Sequence, residues 1–306
     1  MTGPVDAGPV VAVVGPTAAG KSALGIALAH ALGGEVVNTD SMQLYRGMDV
    51  GTAKLTEAER EGVPHHLLDV WDVTEAASVA EYQRLARAAV DAVRAAGRVP
   101  VLVGGSGLYV RAVLDKLEFP GTDPVLRARL DAELATAGPA PLHARLGTLD
   151  PDAAAAILPS NGRRIVRALE VIELTGRPFT ATLPGHEPYY DAVQLGVDLE
   201  PAALDARVDA RVDVMWAAGL VEEVCELEKL GLRDGPTASR ALGYAQVLRM
   251  FDGALDDAQA RAQTQQATRR FVRRQRSWFR RDDRVHWLDA ASPDLLHDAL
   301  ALLARR

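Results

Sequence analysis

Short apolar runs alternate with helix-length stretches through the first hundred residues, at positions 10–14, 22–32, 36–39 and 99–103. This is the rhythm of a parallel sheet with crossover helices. Ser78 followed three residues on by Glu81 reads as a capping box. It opens a helix with Val79, Tyr82, Leu85, Ala86, Ala89 and Val93 on its apolar stripe, and Gly97 closes it. From about residue 118 to 190 the pattern becomes helices punctuated by proline and glycine, with no buried strand. Asp123-Pro124 is an N-cap and first-turn pair there, and Gly138 and Gly176 are the stops. Apolar alternation returns at 193–199, helices fill 204–280, and 285–288 predicts a last short strand.

The chain has 306 residues, 48% hydrophobic and 25% charged, which is ordinary globular composition. One cysteine, Cys225, rules out a disulfide framework and reads as a small buried hydrophobe. No apolar run approaches the roughly 20 residues of a membrane helix, so no membrane partner is expected. The first ten residues show no basic and apolar signal, so the expected address is cytoplasmic. A net charge of -7 argues against nucleic-acid binding over the whole surface, but charge is uneven along the chain. Residues 261–281 hold eight arginines and no acid, and taking these eight from -7 leaves -15 on the remainder. A polyanion is one reason for such a segment.

Gly15-Pro16-Thr17-Ala18-Ala19-Gly20-Lys21-Ser22 has the spacing G-x-x-x-x-G-K-[ST], with an apolar run before it and a helix pattern after it. Backbone N–H groups of such a loop wrap a phosphate, and the following helix adds its positive dipole end. Lys21 is placed to hold phosphate oxygens and the Ser22 hydroxyl to hold Mg²⁺. The fold class is therefore α/β, a P-loop NTPase-like parallel sheet core over residues 1–117 and 191–306, interrupted by an all-helical insertion over 118–190. A nucleoside-triphosphate hydrolase would normally carry an acid after a later strand. Here that strand, 99–103, runs into Gly104-Gly105-Ser106-Gly107. The nearest acid is Asp40, after the strand at 36–39, at the sheet's carboxyl edge beside the phosphate loop. As a residue it suits a metal ligand or helix cap as well as a general base.

The phosphate loop, the block Asp40-Ser-Met-Gln-Leu-Tyr-Arg-Gly-Met-Asp-Val-Gly-Thr-Ala-Lys54, Pro64-His-His-Leu-Leu-Asp69, Gly104-Gly-Ser-Gly-Leu-Tyr109, Arg240-Ala-Leu-Gly-Tyr244 and Arg274-Gln-Arg-Ser-Trp-Phe-Arg280 together resemble the bacterial tRNA dimethylallyltransferases, also called tRNA isopentenyltransferases. The resemblance spans nearly the whole chain. It implies transfer of a dimethylallyl group from dimethylallyl diphosphate to N6 of adenine 37 in the tRNA anticodon stem-loop, with diphosphate leaving. It implies Asp40 as the group that takes the N6 proton and Thr17 as a donor to the bridging oxygen. Gly15 to Ser22 and Arg211 would hold the diphosphate. Asp40, Ser41, Met42, Gln43 and Ser106 would contact the target adenine and its neighbours, Ser106 standing where the family usually has threonine. In the insertion, Arg127, Arg163, Arg164 and Arg167 match positions on the tRNA backbone, with Gly162-Arg163 replacing a more usual Pro-Gln pair. Arg273, Arg274 and Arg280 would meet RNA phosphates while Phe271, Trp278 and Phe279 mostly pack. The chain is expected to act as a monomer.

Some residues have plainer readings. Arg211 shares a helix face with Arg207, and without the resemblance it would pair with Asp205 or Asp209. Arg240 and Tyr244 suit RNA or packing equally. His65 and His66 with Asp69 do not have zinc spacing. A small-molecule kinase and an RNA-binding GTPase-like module are the rival functions. The missing acid after Val103 disfavours both, and the lack of an N-K-x-D motif further weakens the second.

Overall fold

A computed structural model describes residues 9–179 and 185–305 of the chain, so the reading of residues 1–8 as free of a signal lies outside the described residues. The chain forms two compact units, one of Met1–Asp115 with Pro188–Arg306 and one of Lys116–Glu187. Among the described residues the larger holds six strands: β1 (Val10–Val14), β2 (Glu35–Asn38), β3 (His65–His66), β4 (Pro100–Gly104), β5 (Ala192–Asp198) and β6 (Val285–Asp289). Their order is β3-β2-β4-β1-β5-β6, and every neighbouring pair is parallel. All carboxyl ends therefore share one edge, which is where ligands bind in sheets of this kind.

Alternation along the strands makes two apolar layers. Val10, Ala12, Val14, Val37 and Leu102 face one, with α2 (Val79–Ala95), α3 (Gly107–Leu114), α9 (Leu220–Lys229) and α10 (Tyr244–Phe251) packed over them. Val11, Val13, Val36 and Val101 face the other, under α1 (Lys21–Leu32), α8 (Pro201–Ala217) and α12 (Leu295–Ala304). The long α11 (Asp257–Phe279) runs against α8 and α10. No helix among the described residues is long and apolar enough to cross a membrane.

The smaller unit is α4 (Pro124–Ala137), α5 (Pro139–Leu149), α6 (Pro151–Ala156) and α7 (Gly162–Thr175) around Leu130, Leu142, Leu146, Ile157, Ile165 and Leu169. Three starts are capped by side chains that accept backbone N–H groups, Asp123 from Val125 and Leu126, Asp150 from Ala153, and Asn161 from Arg164.

Two local expectations need correction, and one strand has no counterpart in the sequence reading. The pattern gives no sign of β3, because two histidines carry no apolar run; Glu35 on β2 holds His66 Nε2 at 2.6 Å. Ser78 caps α2 by accepting the Glu81 N–H, but the Glu81 carboxylate turns to Arg84, so the reciprocal half of the box is missing. Cys225 is exposed, because the buried stripe of α9 is Leu220, Val224 and Leu227, which turns position 225 outward.

Candidate active site

The loop between β1 and α1 has the backbone an anion cradle needs. Gly15, Ala18 and Gly20 have φ of 134°, 66° and 95°. A Cβ on Gly15 would lie 2.3 Å from the Val197 carbonyl oxygen, so this position accepts no side chain. Lys21 Nζ donates to the Pro16 carbonyl at 2.7 Å, which folds the ammonium under the loop. Burial pushes Lys21 down to about 8; Asp40 pulls it upward, and Arg211 adds to the lowering. These three charged groups therefore share one electrostatic neighbourhood.

Asp40 follows β2 and is held at its backbone and one oxygen. Asn38 accepts the Asp40 N–H at 2.8 Å and donates to its carbonyl at 3.0 Å, and Asp40 Oδ1 accepts the Met42 N–H at 2.9 Å. Among the described residues Oδ2 has no partner. The Ser106 hydroxyl accepts the Ser41 N–H and donates to Ser41 Oγ, both at 3.2 Å, joining the segments after β2 and β4.

These elements surround a pocket of about 330 Å³ within the larger unit. Thr17, Asp40, Ser41, Ser106 and Arg211 supply polar lining. Val208, Val212 and Met215 from α8, with Leu242 and Phe271, supply apolar lining. The size and the mixture of charged and apolar lining suit a small ligand with an anionic head and a hydrocarbon tail. Met42, Arg240 and Arg274 also line it, the two arginines being exposed.

Arg211 resolves differently from its plainer reading. Asp205 pairs with Arg273 and Asp209 with Arg269, while Asp213 pairs with Arg261. Both acids offered to Arg211 are thus taken by α11, and Arg211 has no carboxylate partner among the described residues. Burial, then the neighbouring Arg207, pushes its guanidinium down from its usual range, so the pocket holds cationic charge that lacks an anion.

Other expected contact residues are engaged inside the chain. Tyr244, for which RNA contact and packing were both open, is 0% exposed; its hydroxyl donates to Glu223, and Gly51 lies against its ring. Of the two readings left open for Tyr244, this burial and the bond to Glu223 favour packing, on the lining of the pocket. Gln43 donates to the Thr52 carbonyl at 3.1 Å. Arg127 and Arg167 both pair with the buried Glu170, and Arg167 also donates to the Gly121 carbonyl at 3.0 Å. Arg163 and Arg164 are exposed on α7, and these four belong to the smaller unit. Arg273 pairs with Asp205 at the surface, a kind of pair worth little against a competing phosphate, while Arg280, itself more than half exposed, is anchored on the buried Asp198. Phe279 is buried, but Trp278 is 37% exposed and Phe271 faces the pocket.

Two residues that sequence reasoning passed over organise the site. Glu223 accepts the N–H groups of Asp49, Val50 and Gly51, which fixes the loop whose Gly51 and Thr52 line the pocket. Gln275, buried on α11, accepts the Thr17 N–H at 2.9 Å and donates to the Gly105 carbonyl at 2.9 Å. The buried Lys54 braces the same loop through Asp49, Asp69 and the Tyr45 carbonyl.

The profile of the IPP transferase family matches residues 43–282. The chain is 74% identical over 294 residues to a tRNA dimethylallyltransferase of Salinispora arenicola, covering 96% of this chain and 86% of that one. It is 69% identical to that of Streptomyces avermitilis, covering 94% and 92%. Among solved structures it is similar to the full-length tRNA isopentenylpyrophosphate transferase of Bacillus halodurans, with TM-score 0.73, 40% identity, and 97% and 96% of the two chains covered. It is also similar to a eukaryotic dimethylallyltransferase solved acting on tRNA, with TM-score 0.80 and 26% identity, over 96% of this chain and 78% of that one.

Proposed function

The chain belongs to the IPP transferase family, and from that premise we propose how its pocket divides the work of the reaction. It is an enzyme that transfers a dimethylallyl group from dimethylallyl diphosphate to N6 of adenine 37 in the tRNA anticodon loop and releases diphosphate. The observation that carries the assignment of residues is the pocket itself, where Arg211, with no carboxylate partner among the described residues, and the free oxygen of Asp40 meet apolar side chains of α8, with Lys21 close enough to feel both charges.

The diphosphate lies in the loop of Gly15 to Ser22 with Lys21 and Arg211, and the hydrocarbon lies against Val208, Val212, Met215 and Phe271. As the C1–O bond breaks, negative charge grows on the leaving oxygen, and cations already in place stabilise it without rearrangement. Thr17 lines the pocket and supplies a hydroxyl for the bridging oxygen. The adenine amine forms the new N6–C1 bond, and its proton passes to Asp40 Oδ2, whose twin oxygen stays on the Met42 N–H. Ser41, Met42 and Ser106 border the space for the base, and the exposed Arg240 and Arg274 lie where flanking phosphates would pass.

The donor set fits Mg²⁺. The Ser22 hydroxyl stands in the first turn of α1 with no hydrogen-bond partner among the described residues. Mg²⁺ is usually held by few protein oxygens and completed by phosphate and water. Ser22 would hold it, and the ion would supply charge neutralisation of the leaving diphosphate. All pocket residues come from one unit of one chain, which supports action as a monomer. tRNA as substrate supports a cytoplasmic site of action.

The test is to incubate the protein with dimethylallyl diphosphate and tRNA lacking the modification, digest the RNA and locate the product. One dimethylallyl group on N6 of adenine 37 is expected; transfer to another base or to no RNA contradicts the reading. The position of Lys21 adds a pH dependence. A lysine is a cation below its pKa, so in the free protein half of the Lys21 charge is lost at about pH 8. For the donor, kcat/KM is expected to fall by about tenfold per pH unit above that point, while kcat at saturating donor holds to higher pH because bound diphosphate restores the proton. Calorimetric proton uptake on donor binding above pH 8 checks this, and a flat profile from pH 7 to 10 contradicts it.

A further inference from the structure

Gln275 occupies the buried face of α11, between Val272 and Phe279, and is 5% exposed, where an apolar side chain would be the ordinary choice. Both ends of its amide are used, on segments 258 and 170 residues away in sequence. The partners fix its orientation: the Thr17 N–H requires an acceptor, so Oε1 faces the phosphate loop, and the Gly105 carbonyl requires a donor, so Nε2 faces the turn after β4. The turn has no room to spare, since a Cβ on Gly105 would lie 2.3 Å from Nε2 and 3.0 Å from the Gly15 carbonyl oxygen.

From Gly105 the connection continues one residue to Ser106, whose hydroxyl bonds the Ser41 N–H and Oγ, and Ser41 adjoins Asp40. The loop that faces the donor and the segment that faces the acceptor base are thus held in one register, with Gln275 bridging them. The Thr17 amide is also withdrawn from the phosphate-facing set, which leaves that residue fixed by the protein rather than by the ligand.

We infer that Gln275 is a positioning residue for the transfer: through Thr17 and the Gly105–Ser106 turn it sets the separation between the leaving oxygen of the donor and the nucleophilic amine. The inference rests on the assignment of Thr17 to the donor and Asp40 to the acceptor given above. Because a displacement of about 1 Å between reacting groups can lower a rate by about 10²-fold, loss of this bridge acts on the chemical step more than on binding.

The experiment uses the full chain with Gln275→Met, which keeps the volume and removes both hydrogen bonds, and Gln275→Glu, which keeps an acceptor for Thr17 but turns an oxygen toward the Gly105 carbonyl. Each is measured for kcat, for KM of dimethylallyl diphosphate and of tRNA, and for thermal unfolding. Gln275→Met is expected to lower kcat by about 10- to 100-fold with both KM values within about threefold. Gln275→Glu is expected to lower kcat as well and to raise the KM of the donor, because its carboxylate adds negative charge beside the phosphate loop. A folded Gln275→Met with kcat within twofold of the unsubstituted chain, or a loss confined to KM, overturns the inference. If Gln275→Met does not fold, Gln275→Glu decides on its kcat alone, where an unchanged value overturns it. The unsubstituted chain run in parallel keeps the two readings apart: if it transfers nothing, the assigned reaction fails; if it transfers and Gln275→Met matches it, only the role of Gln275 fails.

Discussion

Asp40→Asn is expected to bind tRNA within about threefold of the unsubstituted chain and to transfer dimethylallyl about 10²- to 10⁴-fold more slowly, the range typical for loss of a general base. The substitution is nearly isosteric. An asparagine Oδ1 still accepts the Met42 N–H, and the backbone stays tied to Asn38, so the segment from 38 to 43 keeps its course. What changes is the second oxygen, which becomes an amide nitrogen that takes no proton. Single-turnover transfer measured at saturating donor and tRNA separates the chemical step from binding. A rate within threefold of the unsubstituted chain would remove Asp40 from the role of base, and a large loss of tRNA affinity would make it a binding residue.

Arg211→Gln is expected to lower kcat/KM for dimethylallyl diphosphate by about 10²- to 10³-fold, with the KM of tRNA nearly unchanged, because it removes a preorganised cation from the charge that develops on the leaving group. Its position supports so large an effect. The acids next to it on α8 are committed to α11, so Arg211 faces the pocket without a counterion. Arg211 also helps hold Lys21 low, so its removal should shift the alkaline limb of the donor kcat/KM profile to higher pH. Measuring that limb together with the rate gives a signature that a misfolded variant does not produce. An unchanged limb with full activity contradicts the assignment.

What was legible in the sequence was what lies close together in it. The phosphate loop is eight consecutive residues between a strand and a helix, and Asp40 follows the end of β2 by two residues, so spacing alone places them on one sheet edge. The strands buried in both layers announced themselves as apolar runs, whereas β3 is two histidines and did not. The basic segment shows the limit of reading charge in a window. Its eight arginines suggested a polyanion, yet Arg261, Arg269 and Arg273 meet Asp213, Asp209 and Asp205, an acidic stripe spaced by four on α8. That stripe becomes a partner only once the two helices are packed. Distance also hid Gln275 and Glu223. A glutamine in a polar helix reads as surface, and its bonds to Thr17 and Gly105 have no local trace. Tyr244 was ambiguous for the same reason, since its partner Glu223 stands a helix away.

The central claim is that the loop of Gly15 to Ser22 grips the diphosphate of a prenyl donor and not a nucleoside triphosphate. The most direct measurement supplies the purified protein with tRNA lacking the modification, dimethylallyl diphosphate labelled at C1 and ATP labelled at its terminal phosphate, and follows both labels. The account predicts one diphosphate released for each dimethylallyl group on tRNA, with ATP intact. ATP consumed while the prenyl donor stays whole in the presence of the RNA would contradict it.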